Sequence, residues 1–204
     1  MLSHLHKSAG FVLASMCIVI FSLINCKQKE ATAQSVTAKI PVTDSLMQVL
    51  TSSGQVVGTG FPAFAYRDID GKTITSKKLS NQIVVYNFMF LGCAPCIAEK
   101  EGLKKVINQY HNAKEVEFVC FTFEPSERIF KDSSHYSGIG FRMVCLSNLE
   151  IEKLKSFCTC GYPLNIVVDK KGIIRYFKSG GADDVKEASE AIYRDLTKVI
   201  NAYL

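Results

Sequence analysis

Residues 83–96 read IVVYNFMFLGCAPC, an apolar run that leads into two cysteines separated by two residues. The length of the run and its β-branched residues predict a buried central strand over Ile83–Phe90. A helical pattern follows at once, which places Cys93 and Cys96 on the first turn of a helix. The unpaired N–H groups and the positive end of the helix dipole stabilise a thiolate there. This stretch therefore predicts a reversible dithiol/disulfide pair.

Length and composition fit one globular domain behind a leader. The chain has 204 residues, of which 48% are hydrophobic and 21% are charged. These values allow a sizeable core and are unlike those of a disordered chain. The net charge of +5 comes with scattered lysine pairs and without a basic stripe interleaved with aromatic residues. We therefore expect solvated charged faces and no nucleic-acid partner.

The N-terminus has the pattern of an export signal, which we place at residues 1–26. A weakly basic start precedes about sixteen apolar residues, a run that is short for a membrane span. The run ends in Leu23-Ile24-Asn25-Cys26, which resembles the lipobox of bacterial lipoproteins and implies lipid attachment at Cys26. Asn25 departs from the small residue usual there, and an uncleaved N-terminal anchor is the competing interpretation. Either way we expect a membrane-tethered domain on the periplasmic side of the cell envelope.

The rest of the chain divides into a spacer and a domain. Residues 27–57 are polar, which predicts a flexible spacer with one weak helix near Leu46–Leu50. The domain, residues 58–204, opens with a predicted edge strand over Phe61–Tyr66 and a hairpin turn at Asp70-Gly71. The later predicted elements are a helix after Cys96, strands at Val116–Phe121 and Phe141–Leu146, a short helix at Leu149–Phe157, a hairpin of Leu164–Val168 and Ile173–Phe177, and a C-terminal helix.

Both long helices have an apolar stripe at helical spacing. The stripe of the first contains Ile97, Leu103, Val106, Ile107 and Tyr110, and that of the last contains Val185, Ala188, Ile192, Leu196, Val199 and Tyr203. Helices that alternate with strands predict an α/β fold, a mixed β-sheet with helices on both faces.

Several short motifs follow one another in the predicted domain. They are Phe61-Pro62-Ala63-Phe64, Asp70-Gly71-Lys72, Val85-Tyr86-Asn87-Phe88, Cys93-Ala94-Pro95-Cys96, Glu99, and Gly161-Tyr162-Pro163 followed by Asp169 and Gly172. In this order and spacing they resemble the TlpA/ResA-like thiol-disulfide oxidoreductases of the thioredoxin superfamily, whose domains are also called redoxin or AhpC/TSA-like. The resemblance implies a thioredoxin-like fold, with a central mixed sheet flanked by helices and an N-terminal extension hairpin.

The resemblance also implies a role for individual residues. Cys93, the more exposed cysteine of the pair, attacks a partner's disulfide, and Cys96 resolves the mixed disulfide. Pro163 matches the family's cis-proline, so Tyr162 and Pro163 would present main-chain groups to a bound peptide. Glu99 falls at a family position, where it either tunes a thiol pKa or is a solvated charge on the helix face.

Two positions depart from the family pattern. Gly92 stands where a Trp usually precedes the first cysteine, so aromatic cover over the dithiol is missing or comes from elsewhere, with Phe90 and Tyr162 as candidates. Glu101 stands where the family has a proline after the second cysteine.

Cys158 and Cys160 lie just upstream of Pro163 and are candidate accessory thiols. Three interpretations stay open for them: two unpaired thiols in a loop, a second dithiol that exchanges electrons with Cys93, and a soft-metal site built from four thiolates.

The remaining domain cysteines, Cys120 and Cys145, lie within strand patterns and are expected to be small core residues. We expect no metal and no cofactor other than the redox-active disulfide Cys93–Cys96.

The leading hypothesis is a membrane-tethered extracytoplasmic oxidoreductase that reduces disulfides in exported proteins. The family suggests cytochrome c apoprotein as a substrate and a membrane electron donor. One alternative is a peroxiredoxin-like thiol peroxidase, although Tyr86 and Phe90 occupy the positions of that family's Pro and Thr or Ser. The other is a copper-binding chaperone like the Sco proteins, for which only His111 and His135 remain after leader removal.

Overall fold

The computed structural model describes residues 56–131, 139–147 and 161–204. Within them the chain forms seven strands and three helices. The strands are β1 (Ala65–Arg67), β2 (Thr73–Thr75), β3 (Ile83–Met89), β4 (Val116–Thr122), β5 (Arg142–Cys145), β6 (Leu164–Val168) and β7 (Ile174–Ser179). The helices are α1 (Ala94–Tyr110), α2 (Ser126–Lys131) and α3 (Val185–Tyr203). In this described part of the chain no helix is long and apolar enough to span a bilayer.

A five-stranded sheet in the order β5-β4-β3-β6-β7 forms the centre of the domain. β3, β4 and β5 are parallel to one another, whereas β6 is antiparallel to both β3 and β7. All seven residues of β3 are buried, as expected for an apolar strand with a neighbour on each side and cover on each face. The predicted mixed sheet and its central strand are confirmed.

Side chains of β3 alternate between two hydrophobic clusters. One cluster contains Ile83, Val85 and Met89 together with side chains of α1, α2 and α3. The other contains Val84 and Phe88 together with side chains from the β1–β2 hairpin region. In the described residues the helices thus flank the first face and the hairpin region covers the second. The helix predicted at 149–157 lies outside these residues.

α1 begins directly after Cys93, which is its N-cap. Pro95 lies in the first turn, where its missing N–H leaves no helical hydrogen bond unmade. The buried stripe predicted for this helix includes Leu103, Val106, Ile107 and Tyr110. The assignment of Ile97 to that stripe is wrong, since Ile97 is 37% exposed. It lies about 100° around the helix from Cys96, away from the buried side.

α3 begins after its N-cap Asp184, whose carboxylate accepts a hydrogen bond from the Glu187 N–H at 2.8 Å. Its buried residues are Ala188, Ser189, Ile192, Leu196 and Ile200. The predicted stripe is wrong at its two ends, because Val185 is 56% and Tyr203 38% exposed. α3 packs against α1, and a Cβ added at Gly102 would overlap the Ser189 carbonyl oxygen.

Residues 58–61, here called the strap, pair with the start of β7 and with the turn before it. The backbone hydrogen bonds run from Gly58 N–H to Ile174 O at 2.8 Å, from Ile174 N–H to Thr59 O at 2.9 Å, and from Phe61 N–H to Gly172 O at 2.8 Å. These bonds attach the N-terminal end of the described domain to the sheet.

The hairpin after the strap differs from its prediction in one respect. The predicted strand over Phe61–Tyr66 is wrong for its first four residues, because β1 begins only at Ala65. Pro62 has no N–H to donate to a partner strand, and the strap already pairs elsewhere. The predicted turn at Asp70-Gly71 is confirmed, with a φ of 77° at Gly71, a conformation that glycine adopts without strain.

Candidate active site

Cys93 and Cys96 form a disulfide at the junction of β3 and α1, with their Cα atoms 5.2 Å apart. Cys93 is 4% and Cys96 1% exposed. Both cysteines are therefore nearly enclosed by the fold, and Cys93 is the more exposed of the two. The strand delivers the pair to one end of the sheet, where α1 begins.

The first turn of α1 directs one backbone N–H group at the disulfide. The Cys96 N–H points to Cys93 Sγ at 3.3 Å, and the Ile97 N–H donates to the Cys93 carbonyl at 3.0 Å. The first N–H groups of a helix have a partial positive charge and few intrahelical acceptors. A thiolate at Cys93 in the reduced protein is therefore stabilised.

The loop between β3 and Cys93 is held by a residue outside the motif. Glu124, shortly after β4, accepts a hydrogen bond from the Leu91 N–H at 3.2 Å and pairs with Arg128 at 2.6 Å. Gly92 has a φ of 83°, in the left-handed region that larger residues rarely adopt. The glycine found in place of the family's Trp therefore suits the backbone at this position.

The Tyr162–Pro163 peptide bond is cis, as the family resemblance implies. The Gly180 N–H donates to the Pro163 carbonyl at 2.8 Å, which joins the proline loop to the end of β7. A Cβ added at Gly181 would lie 3.4 Å from a ring atom of Pro163 and 3.4 Å from one of Pro95. The two prolines therefore converge, and the cis-proline loop lies beside the first turn of α1.

Phe90 and Tyr162 both supply aromatic cover near the disulfide. Their rings meet edge to face with centroids 5.6 Å apart, and Phe123 contacts Tyr162 at 5.3 Å. Phe90 and Tyr162 are half-buried against the hydrophobic cluster that includes Cys93 and Cys96. The two candidates proposed in place of the missing Trp thus contact each other and pack against the same cluster.

Glu99 is buried one helical turn beyond Cys96, with only 4% of its surface exposed. Asn165 Nδ2 donates to both carboxylate oxygens, at 3.0 and 3.1 Å, and Asn87 Nδ2 donates to one of them at 3.2 Å. Burial raises the pKa of Glu99 to about 7, although the Asn165 hydrogen bonds, the charge of Lys178 and the Asn87 hydrogen bond oppose the rise. The alternative of a solvated helix-face charge is wrong.

The two remaining described cysteines are poor nucleophiles. Cys120 is fully buried, which confirms it as a core residue, and its thiol donates to Asn87 Oδ1 at 3.5 Å. Burial raises the pKa of Cys120 well above its usual range. Cys145 is only half-buried, and burial followed by the charge of Glu127 raises its pKa to about 11. Both thiols stay protonated near neutral pH.

Several predicted residues lie outside the described ranges, namely Cys26, Cys158, Cys160 and His135, together with the segments upstream of residue 56. His111 follows the last residue of α1, about 25 Å of helix away from the disulfide, so it cannot share a metal ion with the pair. Within the described residues, no three Cys, His, Asp or Glu side chains are grouped so that they could hold a metal ion.

The sequence analysis assigns no role to three residues of the site: Asn87, Asn165 and Glu124. The two asparagines interrupt otherwise apolar buried strands, and a buried polar side chain needs a partner. That interruption is the available signal. It does not identify the partner, because Asn165 and Glu99 are 66 residues apart in the sequence.

Similar solved structures share the thioredoxin fold. The thioredoxin domain of a thiol-disulfide oxidoreductase from Bacteroides vulgatus is 23% identical with a TM-score of 0.54, over 71% of this chain and 98% of that one. A thioredoxin-family thiol:disulfide interchange protein from Chlorobium tepidum is 20% identical with a TM-score of 0.52, over 68% and 95%. A thiol:disulfide interchange protein from Bacteroides sp. is 24% identical with a TM-score of 0.54, over 71% and 90%.

A comparison with curated protein sequences finds no match. The sequence model of the AhpC/TSA family, in contrast, matches residues 57–177, more than half of the chain. The matched range includes the disulfide, Glu99 and the cis-proline. Together with the fold, this match shows that the chain is a redoxin domain of the thioredoxin superfamily and belongs to the AhpC/TSA family.

Proposed function

We propose that this protein is a thiol-disulfide oxidoreductase that reduces disulfides in exported proteins through Cys93 and Cys96. The observation that supports it most directly is the disulfide at the N-cap of α1, beside the cis-proline loop. The bond joins residues only three apart in sequence. It therefore removes little entropy from the unfolded chain and is a poor structural staple, which favours a redox role.

The proposed reaction starts from the reduced protein. The Cys93 thiolate bonds to one sulfur of the partner's disulfide, and the partner's other sulfur leaves as a thiolate and takes up a proton. Cys96 then loses its proton and attacks Cys93 Sγ, which restores the Cys93–Cys96 disulfide and releases the partner's second sulfur. The partner gains two electrons and two protons, and a reduced membrane electron donor then supplies two of each to regenerate the dithiol of this chain.

Glu99 and the proline loop have separate parts in this reaction. Glu99 lies one turn beyond Cys96 and its pKa is about 7, so its carboxylate is suited to accept the Cys96 proton near neutral pH. The main chain at Tyr162 and Pro163 would pair with an extended segment of the partner. The loop lies beside Pro95 of the motif, which would bring a bound segment to the disulfide.

The location is proposed from the N-terminal sequence. Residues 1–26 would export the chain to the periplasmic side of the cell envelope, and a lipid at Cys26 or an uncleaved anchor would tether it to the membrane. Exported proteins form disulfides in such a compartment, so substrates are present there. Cytochrome c apoprotein is the substrate that the family resemblance suggests.

Cysteine variants of the full-length chain test the mechanism. The Cys96→Ser variant should accumulate a mixed disulfide at Cys93 when it is mixed with a disulfide-bonded peptide, because the resolving sulfur is missing. Cys93→Ser should not accumulate one, and Cys145→Ala, which removes a half-buried thiol on β5, should turn over like the wild type. Mass spectrometry after acid trapping locates the adduct. Equal adduct formation by both active-site variants would contradict the assigned roles.

The direction of transfer is tested by the equilibrium potential of the Cys93–Cys96 pair, measured by thiol trapping in glutathione or dithiothreitol buffers. A value near that of thioredoxin, about −270 mV, supports a reductant. A value near about −120 mV, which is typical of a strong oxidant, would show that the protein forms disulfides instead. Rapid turnover of hydrogen peroxide would favour the peroxidase alternative.

A further inference from the structure

Two asparagines on neighbouring central strands lie against Glu99. Asn87 of β3 and Asn165 of β6 are direct partners in the antiparallel pair, and they are 1% and 0% exposed. Asn87 Nδ2 donates to Asn165 Oδ1 at 2.8 Å. Burying two amides costs free energy unless both are hydrogen-bonded. Their hydrogen-bond partners therefore account for their presence in the core.

Both asparagine side chains donate N–H hydrogen bonds to the Glu99 carboxylate. Asn165 Nδ2 donates to both Glu99 oxygens, and Asn87 Nδ2 donates to one. The amide oxygens already accept hydrogen bonds, Asn165 Oδ1 from Asn87 and Asn87 Oδ1 from the Cys120 thiol. The amides therefore offer N–H donors to the carboxylate, which stabilises its ionised form and fixes the plane of the group.

The other charged and titratable groups nearby act less directly. Burial is the main effect that opposes ionisation of Glu99, and the charge of Lys178 on β7 favours it. Lys178 is itself 3.7 Å from Asp195 of α3. Tyr176 of β7 and Cys120 of β4 are neutral near pH 7, because burial raises the pKa of both. Among the groups that favour ionisation, the hydrogen bonds from β6 have the largest effect.

We propose that Asn165 is a positioning residue for the dithiol: by holding the Glu99 carboxylate, it sets the pH range in which Cys96 releases its proton. The inference rests on the function proposed above. In the step concerned, the Cys96 thiol proton passes to a Glu99 oxygen, which leaves a Cys96 thiolate and a neutral carboxyl. Asn165 lies two residues after Pro163, so one strand connects the proposed peptide-binding loop with the proton acceptor.

Variants of Asn165 in the full-length oxidised protein test the first half of this inference. Asn165→Leu has a similar shape and removes the hydrogen bonds. The midpoint of the Glu99 carboxyl titration, followed by ¹³C NMR, should rise by about one pH unit. Asn165→Thr keeps a hydroxyl donor and suits a strand, so it should recover part of this change. Tyr110→Phe removes a buried hydroxyl from the same helix without touching Glu99, and it should leave the midpoint unchanged.

The pH dependence of the rate at which Cys96 releases glutathione from a mixed disulfide on Cys93 tests the second half and needs no partner protein. Because Glu99 accepts the Cys96 proton only when it is ionised, the low-pH limb of this rate profile should move to higher pH in Asn165→Leu. The double variant with Glu99→Gln should behave like Glu99→Gln alone. An unchanged Glu99 midpoint in both Asn165 variants would overturn the inference. So would a shifted midpoint with an unchanged rate profile. Both shifts with no reduction of a protein disulfide would overturn only the proposed function.

Discussion

Burial and hydrogen bonding have opposite effects on the ionisation of Glu99. Its pKa rises from 4.5 to about 7 in the fold. Between these two pH values the folded protein holds a proton that the unfolded chain has released. The free energy of unfolding therefore decreases as the pH rises through this range and levels off above it. The shift corresponds to roughly 3 kcal/mol at neutral pH.

Replacing Glu99 by Gln should remove this pH dependence, because the amide does not titrate. Urea unfolding of the oxidised protein measures the effect. The free energy of unfolding of the wild type should fall by roughly 2–3 kcal/mol between about pH 5 and about pH 8, whereas that of the variant should change much less. Glu101→Gln, an exposed position on the same helix, is the matched control and should behave like the wild type. A variant with the wild-type decrease would show that another group causes it.

At the scale of residues, the sequence is most informative where chemistry and local structure coincide. The spacing of Cys93 and Cys96 at a strand-to-helix junction predicts their pairing without any distant contact, and the family motif predicts the cis bond at Pro163. The environment of Glu99 could not be predicted, because its two amide partners come from strands that are neighbours only in the folded sheet.

At the scale of elements, α1 and α3 are in close contact at Gly102. A Cβ there would overlap the Ser189 carbonyl oxygen and lie 2.5 Å from Ile192 Cγ2. Alanine is the better helix former by about 1 kcal/mol, but backbone atoms cannot move aside as the end of a side chain can. Steric overlap therefore outweighs the gain in helix propensity.

Gly102→Ala should lower the free energy of unfolding by about 1–3 kcal/mol, as measured by chemical denaturation. Gly60→Ala is the matched control, because a Cβ at Gly60 meets no atom within 4 Å, and its effect should be small. A Gly102→Ala variant as stable as the wild type would mean that the two helices do not pack as closely as described.

Element ends are where the sequence patterns fail. Ile97 and Val185 have apolar side chains at positions that helical spacing alone allows in the stripe, yet both point away from the sheet. The first four residues of the Phe61–Tyr66 run have a strand-like pattern but form the end of the strap and its connection to β1. The neighbouring element decides whether the last residues of a helix or strand are buried. That neighbour is distant in the sequence, so a local pattern cannot predict the outcome.

At the scale of the whole molecule, the hairpin region is part of one core with the sheet. Phe64 is 6% exposed and its ring contacts those of Phe61, Tyr66, Tyr86 and Phe121. The aromatic side chains of the strap, hairpin, β3 and β4 thus form a continuous layer on the face of the sheet opposite the helices.

Phe64→Ala should cost about 3–5 kcal/mol of unfolding free energy and keep a single cooperative transition, because the hairpin region and sheet share their core. Far-ultraviolet circular dichroism in denaturant measures both quantities. Phe130→Ala, at a position 57% exposed on α2, is the control and should change stability by less than about 0.5 kcal/mol. A separate early transition in the Phe64 variant would show that the hairpin folds independently.

Strand order is the part of the fold that no local pattern contains. The alternation of helices and strands predicts a mixed sheet, and the run at Ile83–Phe90 predicts its central strand. The position of β6 beside β3, which brings the cis-proline to the disulfide and Asn165 to Glu99, follows only from the pairing of the complete sheet.

The strap has a consequence for orientation. It joins the sheet at the start of β7. The start of β3 and the end of β6 lie at this same end of the sheet. Cys93 follows β3 and therefore lies at the opposite end. The seven residues of β3 separate the two ends by roughly 23 Å. Any attachment made upstream of Val56 therefore enters the domain at the pole remote from the disulfide. A tether attached directly at Val56 would therefore leave the disulfide pole free to meet a partner.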